Sequence, residues 1–301
     1  MVKILIVGSG GFIGKNLLER VGKKEDEIVG YTHKKLDISD YKQCDTIIKK
    51  EKPEVIINAA VYGGYPYQKD KLLIWDTNFY GAVNLLKTSI KNKVKLFIQT
   101  GSNSEYGIRK DKNLLKEKDN SNPSDEYSHT KLLASKYCQL SALSQNKTKI
   151  LVLRIFSAYG YYEKETRLMP QLMLSSINKK TAKLDNPKNV RSYTFIKDIC
   201  NAYQMAINKQ KELETGSIFN IASDKQSTLE DVVYIMREID PKFKFEWSPN
   251  KEHREADYAL NWHADITKAK RQLGWKPKYN LKTGMVETYN WFKVNNYGKS
   301  R

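Results

Sequence analysis

The stretch KILIVGSGGFIGKNLLERV, residues 3–21, constrains the fold more than any other part of the chain. An apolar run leads into Gly8, Gly11 and Gly14, spaced three apart, and then into a helical pattern. A strand apolar on both faces belongs in the interior of a parallel sheet covered by helices. Glycines at the turn that follows let the backbone come close to an anion, and a helix N-terminus there adds N–H donors and a favourable dipole. The plain alternative is a tight strand-to-helix turn with no ligand, so the rest of the chain has to decide.

Apolar, β-rich segments recur at 4–7, 27–31, 55–58, 95–100, 150–155 and 217–221, and helical patterns at 16–21, 41–50 and 75–91 separate the early ones. This alternation predicts an α/β fold: a Rossmann-type doubly wound parallel sheet, with ligands at the carboxyl ends of its strands. Residues 1–165 read as a dinucleotide-binding domain with later returns near 191–221. Residues 166–301 read mainly as a smaller C-terminal substrate-binding cap, with a helix at 227–239 entered by a Ser-Thr-x-Glu start.

Composition narrows the classes. A 301-residue chain that is 40% hydrophobic can bury a large core, and apolar runs such as 95–98 and 150–153 are too short to span a bilayer. With Met1 leading directly into a strand, a cytoplasmic protein with no membrane partner is expected. Cys44, Cys138 and Cys200 are widely spaced and the histidines isolated, so neither a disulfide framework nor a metal site is expected. The formal charge of +18 raises nucleic acid as a partner, but the lysines are scattered along the chain. Solvated surface lysine, with some attraction for small phosphorylated substrates, is the simpler reading.

Candidate chemistry lies in SDEYSHTKLLASKY, where Tyr127 and Lys131 stand four apart in a helical pattern and share a face. A phenol of pKa about 10 is a poor acid at neutral pH, and a neighbouring ammonium lowers it. Such a pair can pass a proton to or from a carbonyl oxygen. In LFIQTGSNSEYG, an apolar strand ends at Ser102, whose hydroxyl can bond a substrate oxygen.

GxxGxxG after the first strand, LDIS, INAA, Ser102, Tyr127-x-x-x-Lys131, RSYTFIKD and the late ADITKAKRQLGWKP together resemble the extended short-chain dehydrogenase/reductase family, in its nucleotide-sugar branch. The resemblance covers nearly the whole chain. It implies a nicotinamide dinucleotide, a nucleoside-diphosphate sugar as substrate, and Ser102, Tyr127 and Lys131 as catalytic residues. It places Gly8, Gly11 and Gly14 at the pyrophosphate, Phe12 and Ile13 in the cofactor site with them, Asp37 and Ile38 near the adenine, and Ala59, Ala60 and Asn78 along the cofactor. It also implies a homodimer built on a helix bundle containing the Tyr127 helix. Arg191 and Arg254 match positions that hold the sugar nucleotide's diphosphate, a task suited to a bidentate guanidinium.

Where an acidic residue would bind the ribose of NAD, the chain has His33, Lys34 and Lys35, so NADPH is expected ahead of NADH. This segment and AAVYGGY resemble GDP-fucose synthases, but those use a Cys and a His to epimerise where this chain has Ser104 and Arg167. Asn103-Ser104 likewise replaces the acids of sugar-nucleotide 4,6-dehydratases, with Glu105 one place late. GSNSEYG is most similar to the GSSxEYG of GDP-6-deoxy-mannose reductases, with Asn103, Ser104 and Arg167 toward the substrate. The expected reaction is therefore NADPH-dependent reduction of the C4 ketone of a nucleoside-diphosphate 4-keto-6-deoxy sugar. An NAD-dependent nucleotide-sugar epimerase is the alternative, and a non-catalytic dinucleotide- or RNA-binding protein a remote one. Family members commonly have Asn where RIFSAYG has Ser157.

Overall fold

A computed structural model describes residues 1–109, 111, 113–248 and 262–295. The chain begins with β1 (Lys3–Val7), α1 (Phe12–Arg20), β2 (Glu27–Tyr31), α2 (Tyr41–Glu51), β3 (Val55–Asn58) and α3 (Lys71–Trp75). It continues through α4 (Gly81–Lys91), β4 (Leu96–Ser102), α5 (Glu126–Ser144) and β5 (Lys149–Ile155). Then come β6 (Ala158–Tyr159), α6 (Leu168–Ile177), β7 (Thr181–Leu184), β8 (Val190–Arg191), β9 (Thr194–Phe195) and α7 (Ile196–Asn208). The remainder holds β10 (Ser217–Ile221), β11 (Ser227–Thr228), α8 (Leu229–Ile239), β12 (Lys244–Trp247) and α9 (Leu281–Val294).

Six strands form one sheet in the order β10-β5-β4-β3-β1-β2, every neighbouring pair parallel. In the middle of the sheet their β-branched and aliphatic residues are shut away on both faces, β3 and β4 being buried throughout, while the edge strand β2 is only half-buried. From β1 the chain goes first to one side, to β2, and then crosses to the other, to β3. That reversal opens the crevice in which ligands of such sheets bind.

The expected α/β class is therefore the observed one, and the strands at 27–31, 55–58 and 217–221 have the bounds read from sequence. The helix read at 16–21 starts earlier, at Phe12, immediately after the glycines. The pattern at 75–91 is interrupted: a π-helical turn, Asp76–Tyr80, joins α3 to α4. The start of α8 is a capping box in which Thr228 accepts from the Asp231 N–H, so the acid that closes it is Asp231 and not Glu230. The later part of the chain adds three two-stranded pairs, β7–β12, β6–β9 and β8–β11. Among the described residues no helix is long and apolar enough to cross a membrane.

Candidate active site

The parallel register brings the ends of β1, β2, β3 and β4 to one edge, and with them most of the residues singled out from sequence. Gly8 leaves β1 with φ +82°, and a Cβ there would lie 2.5 Å from the Ala60 nitrogen. A Cβ on Gly14 would lie 2.2 Å from the Gly8 carbonyl oxygen. Gly11 caps α1, donating its N–H to the Gly8 carbonyl at 3.0 Å, and its backbone cap has no side-chain bond to the first-turn N–H groups. Phe12 and Ile13 open α1 half-buried against the core. Ala59 and Ala60 close the turn from the side of β3. A glycine cradle over an open helix N-terminus fits a pyrophosphate, so the residues present fit a dinucleotide.

His33, Lys34 and Lys35 form an exposed turn after β2, and Lys35 N–H donates to the Thr32 carbonyl at 2.9 Å. Thr32 also stands beside Gly10, 3.1 Å from where its Cβ would be, which puts this cationic turn next to the glycine cradle. Asp37 spends a carboxylate oxygen on its own turn, accepting from Ser39 N–H at 3.0 Å and Ser39 Oγ at 2.7 Å. Ile38 points into the second core cluster with Cys44 and Leu85. Asn78, expected along the cofactor path, stands on the π-helical turn Asp76–Tyr80. It is 1% exposed, exchanges hydrogen bonds with Tyr62 N–H and carbonyl at 2.9 and 2.8 Å, and donates to Thr130 Oγ1 at 3.2 Å. The π-helical turn aims it inward, where it pins the loop after β3 to α5.

The start of α5 is fixed by Asp125, whose carboxylate accepts from Ser128 N–H at 2.8 Å. Tyr127 thereby falls in the first turn, half-buried, and Lys131 one turn on, 2% exposed. Lys131 Nζ donates to the Thr100 carbonyl at 2.5 Å. Burial pulls its pKa down to about 8, with the charge of Glu105 acting the other way. The Tyr127 ring lies against Gly63 and Gly64, its Cδ2 3.5 Å from where a Gly63 Cβ would be. Both glycines belong to the AAVYGGY stretch, where a Gly pair beside an apolar strand end signals close approach.

Ser102 ends β4, and its Oγ lies 2.8 Å from Ser104 Oγ and accepts from the Ser104 N–H at 3.2 Å. Asn103 and Ser104 begin the 3₁₀ turn Asn103–Tyr106 and are half-buried. Glu105 turns away from the crevice: its Oε2 accepts from Arg154 Nε at 2.7 Å, both side chains almost wholly buried.

Arg167 caps α6, half-buried, its guanidinium 5.2 Å from the centre of the Tyr65 ring. Lys164 sits over the same ring and over Tyr67, and Tyr65 and Tyr67 stack at 5.5 Å. The loop after β3 is thus bridged to the entry of the later part of the chain. Arg191 stands on β8, donating Nη1 to the Val190 carbonyl at 2.9 Å, with the Trp262 ring 5.9 Å away. Arg254 lies outside the described residues.

Comparison with known proteins gives the family and the fold. The model of the family described as NAD dependent epimerase/dehydratase matches residues 4–222. A UDP-glucose 4-epimerase from Lactobacillus helveticus is 26% identical, covering 99% of this chain and 99% of its own. A GDP-6-deoxy-D-talose 4-dehydrogenase from Aggregatibacter actinomycetemcomitans is 30% identical, covering 72% of this chain and 74% of its own. The solved structure of the Thermotoga maritima UDP-glucose 4-epimerase with UDP-glucose has a TM-score of 0.85 at 22% identity, covering 98% of this chain and 99% of that one, which speaks for the fold.

Proposed function

The chain belongs to the NAD dependent epimerase/dehydratase family, and we propose that within it the protein is an NADPH-dependent reductase of the C4 ketone of a nucleoside-diphosphate 4-keto-6-deoxy sugar, serving deoxysugar synthesis. The observation that carries this reading is the exposed His33–Lys34–Lys35 turn beside the glycine cradle. Positive charge there suits a 2′-phosphate, and a cofactor consumed by net reduction suits such a site better than one recycled within a turnover.

Gly8, Gly11 and Gly14 would hold the pyrophosphate, and the His33–Lys35 turn the adenosine ribose. When bound, the nicotinamide supplies hydride. Tyr127 gives its phenolic proton to the ketone oxygen and regains it from solvent. Lys131 favours the phenolate that results, and the Ser102 hydroxyl donates to the same oxygen. Ser104 and Arg167 cannot serve as an acid–base pair on a carbon acid, since a hydroxyl is too weak an acid and a guanidinium keeps its proton. That supports reduction without epimerisation at neighbouring carbons.

An NAD-dependent 4-epimerase is the second reading, favoured by the full-length similarity to a UDP-glucose 4-epimerase. Mixing the protein with NADPH, and separately NADH, over a panel of nucleoside-diphosphate 4-keto-6-deoxy sugars separates the two. Stoichiometric loss of NADPH with one sugar, abolished by Tyr127→Phe, is the expected result. A sugar that isomerises while the cofactor stays unchanged would establish the epimerase.

We infer further that two copies associate through α5. Leu133, Leu140 and Leu143 are 38%, 61% and 87% exposed along that helix, with Leu72 and Tyr80 exposed on α3 and the turn after it. Sedimentation velocity on the wild type and Leu140→Glu tests this, a dimer becoming a monomer.

A further inference from the structure

An arginine in the middle of the apolar run ILVLRI has to find a partner where no water reaches it, and the partner it finds stands directly behind the catalytic strand end. Arg154 on β5 lies opposite Gly101 in the sheet register, between Thr100 and Ser102. Its Nε bonds Glu105 Oε2 at 2.7 Å, its Nη1 donates to the Glu117 carbonyl at 3.3 Å, and its guanidinium rests 4.6 Å from the centre of the Tyr106 ring. The other oxygen of Glu105 accepts from the Ser102 N–H at 2.8 Å. A Cβ on Gly101 would stand 2.7 Å from that oxygen and 3.1 Å from Arg154 Cγ, so the pair occupies the space a side chain would fill. On the front of the same residues, the Thr100 carbonyl receives Lys131 Nζ and Ser102 presents its hydroxyl.

We propose that Glu105 and Arg154 are positioning residues: together they fix the last residues of β4 and so set both the Ser102 hydroxyl and the carbonyl that holds Lys131. The proposal rests on the reading that Ser102, Tyr127 and Lys131 carry the reaction. Glu105 has a second effect. Its negative charge favours the Lys131 ammonium against burial, while Arg154 holds the carboxylate in place. A merely structural ion pair would hold the backbone and leave Lys131 alone.

The two roles separate in the protein without cofactor or substrate. In Glu105→Gln the Ser102 bond has an acceptor still, but an amide replaces the carboxylate and its charge is gone. Side-chain ¹⁵N NMR, with the Lys131 signal identified by Lys131→Met, would follow the titration of Nζ, and amide hydrogen exchange would follow Ser102. We expect the Lys131 midpoint to fall by about one pH unit and Ser102 exchange to quicken by about tenfold. A folded Glu105→Gln protein with both values unchanged overturns the proposal, and an unchanged Lys131 midpoint with faster exchange reduces the pair to a structural one and overturns it equally. Should Glu105→Gln not fold, Glu105→Gln/Arg154→Met removes both charges together and leaves no lone buried cation. A smaller fall in the Lys131 midpoint is then expected, because loss of the Arg154 cation offsets part of the loss of the Glu105 anion, and a midpoint that stays or rises overturns the proposal. Because no turnover is read, these outcomes stand whether or not Tyr127→Phe abolishes reduction.

Discussion

Lys131 donates to the Thr100 carbonyl at 2.5 Å from a place where 2% of it reaches solvent. Burial holds its pKa at about 8, against 10.5 ordinarily. The folded chain therefore releases this proton before the unfolded chain does. Between those values the group's contribution to stability improves as pH rises, and below about pH 8 the whole cost of the buried charge is carried. Lys131→Met should accordingly unfold at a higher temperature than the wild type at pH 7, by about 2–4 °C per kcal/mol recovered, and lose turnover. Scanning calorimetry at pH 7 and pH 10.5 checks this, the gap closing at the higher pH. A variant less stable at pH 7 would mean that the Thr100 bond outweighs the buried charge.

The glycine cradle separates folding from ligand binding. Gly14→Ala would press a methyl group 2.2 Å from the Gly8 carbonyl oxygen, and Gly8→Ala adds a positive φ to a similar clash. Each should destabilise the chain by about 3 kcal/mol or more. Gly11→Ala, with φ −80° and one neighbour at 3.3 Å, should fold within about 1 kcal/mol of the wild type and bind dinucleotide about tenfold more weakly. Urea unfolding beside a fluorescence titration with NADPH distinguishes the two effects.

Charge reversal tests the choice of cofactor. Lys34 and Lys35 are exposed, so Lys34→Glu/Lys35→Glu leaves the core untouched. It should raise the Kd for NADPH by about tenfold or more while changing that for NADH by about twofold or less. Equal losses for both cofactors would place the 2′-phosphate elsewhere.

Ser157 sits at φ +32°, between β5 and β6, with its carbonyl accepting the Thr194 N–H at 3.1 Å. Left-handed backbone costs an ordinary L residue about 1–2 kcal/mol, less for Asn or Gly. Ser157→Gly should raise the melting temperature and Ser157→Val should lower it, both read by thermal unfolding. The reverse order would show that the serine hydroxyl matters more than its backbone.

The strands and the glycine cradle were legible because each is a local pattern: a continuous apolar run, or three glycines at fixed spacing. Tyr127 and Lys131 were legible for the same reason, since a single helical turn relates them. The hydrogen bonds of Asn78 to Tyr62 and Thr130 were not, because they join its π-helical turn to segments outside its own helix. Glu105 stands one place late for the dehydratase pattern, and its partner Arg154 lies in an apolar strand, where a lone buried cation demands an anion that only the fold identifies. The two-stranded pairs of the later chain escaped because elements such as β6 and β8 hold two residues each and exist only through partners distant in sequence.

One such distant partnership governs how the molecule comes into being. β10 bonds β5 along its whole length, although more than sixty residues, from Phe156 to Gly216, separate them. A chain released after residue 165 would carry β5 as an open edge, apolar but for Lys149 and Arg154 and ready to pair with another molecule. During synthesis the nascent protein faces the same hazard until residue 221 has left the ribosome. The first half of the sequence therefore cannot finish its own sheet, and the intervening segment must leave the way to β5 clear for the strand that completes it.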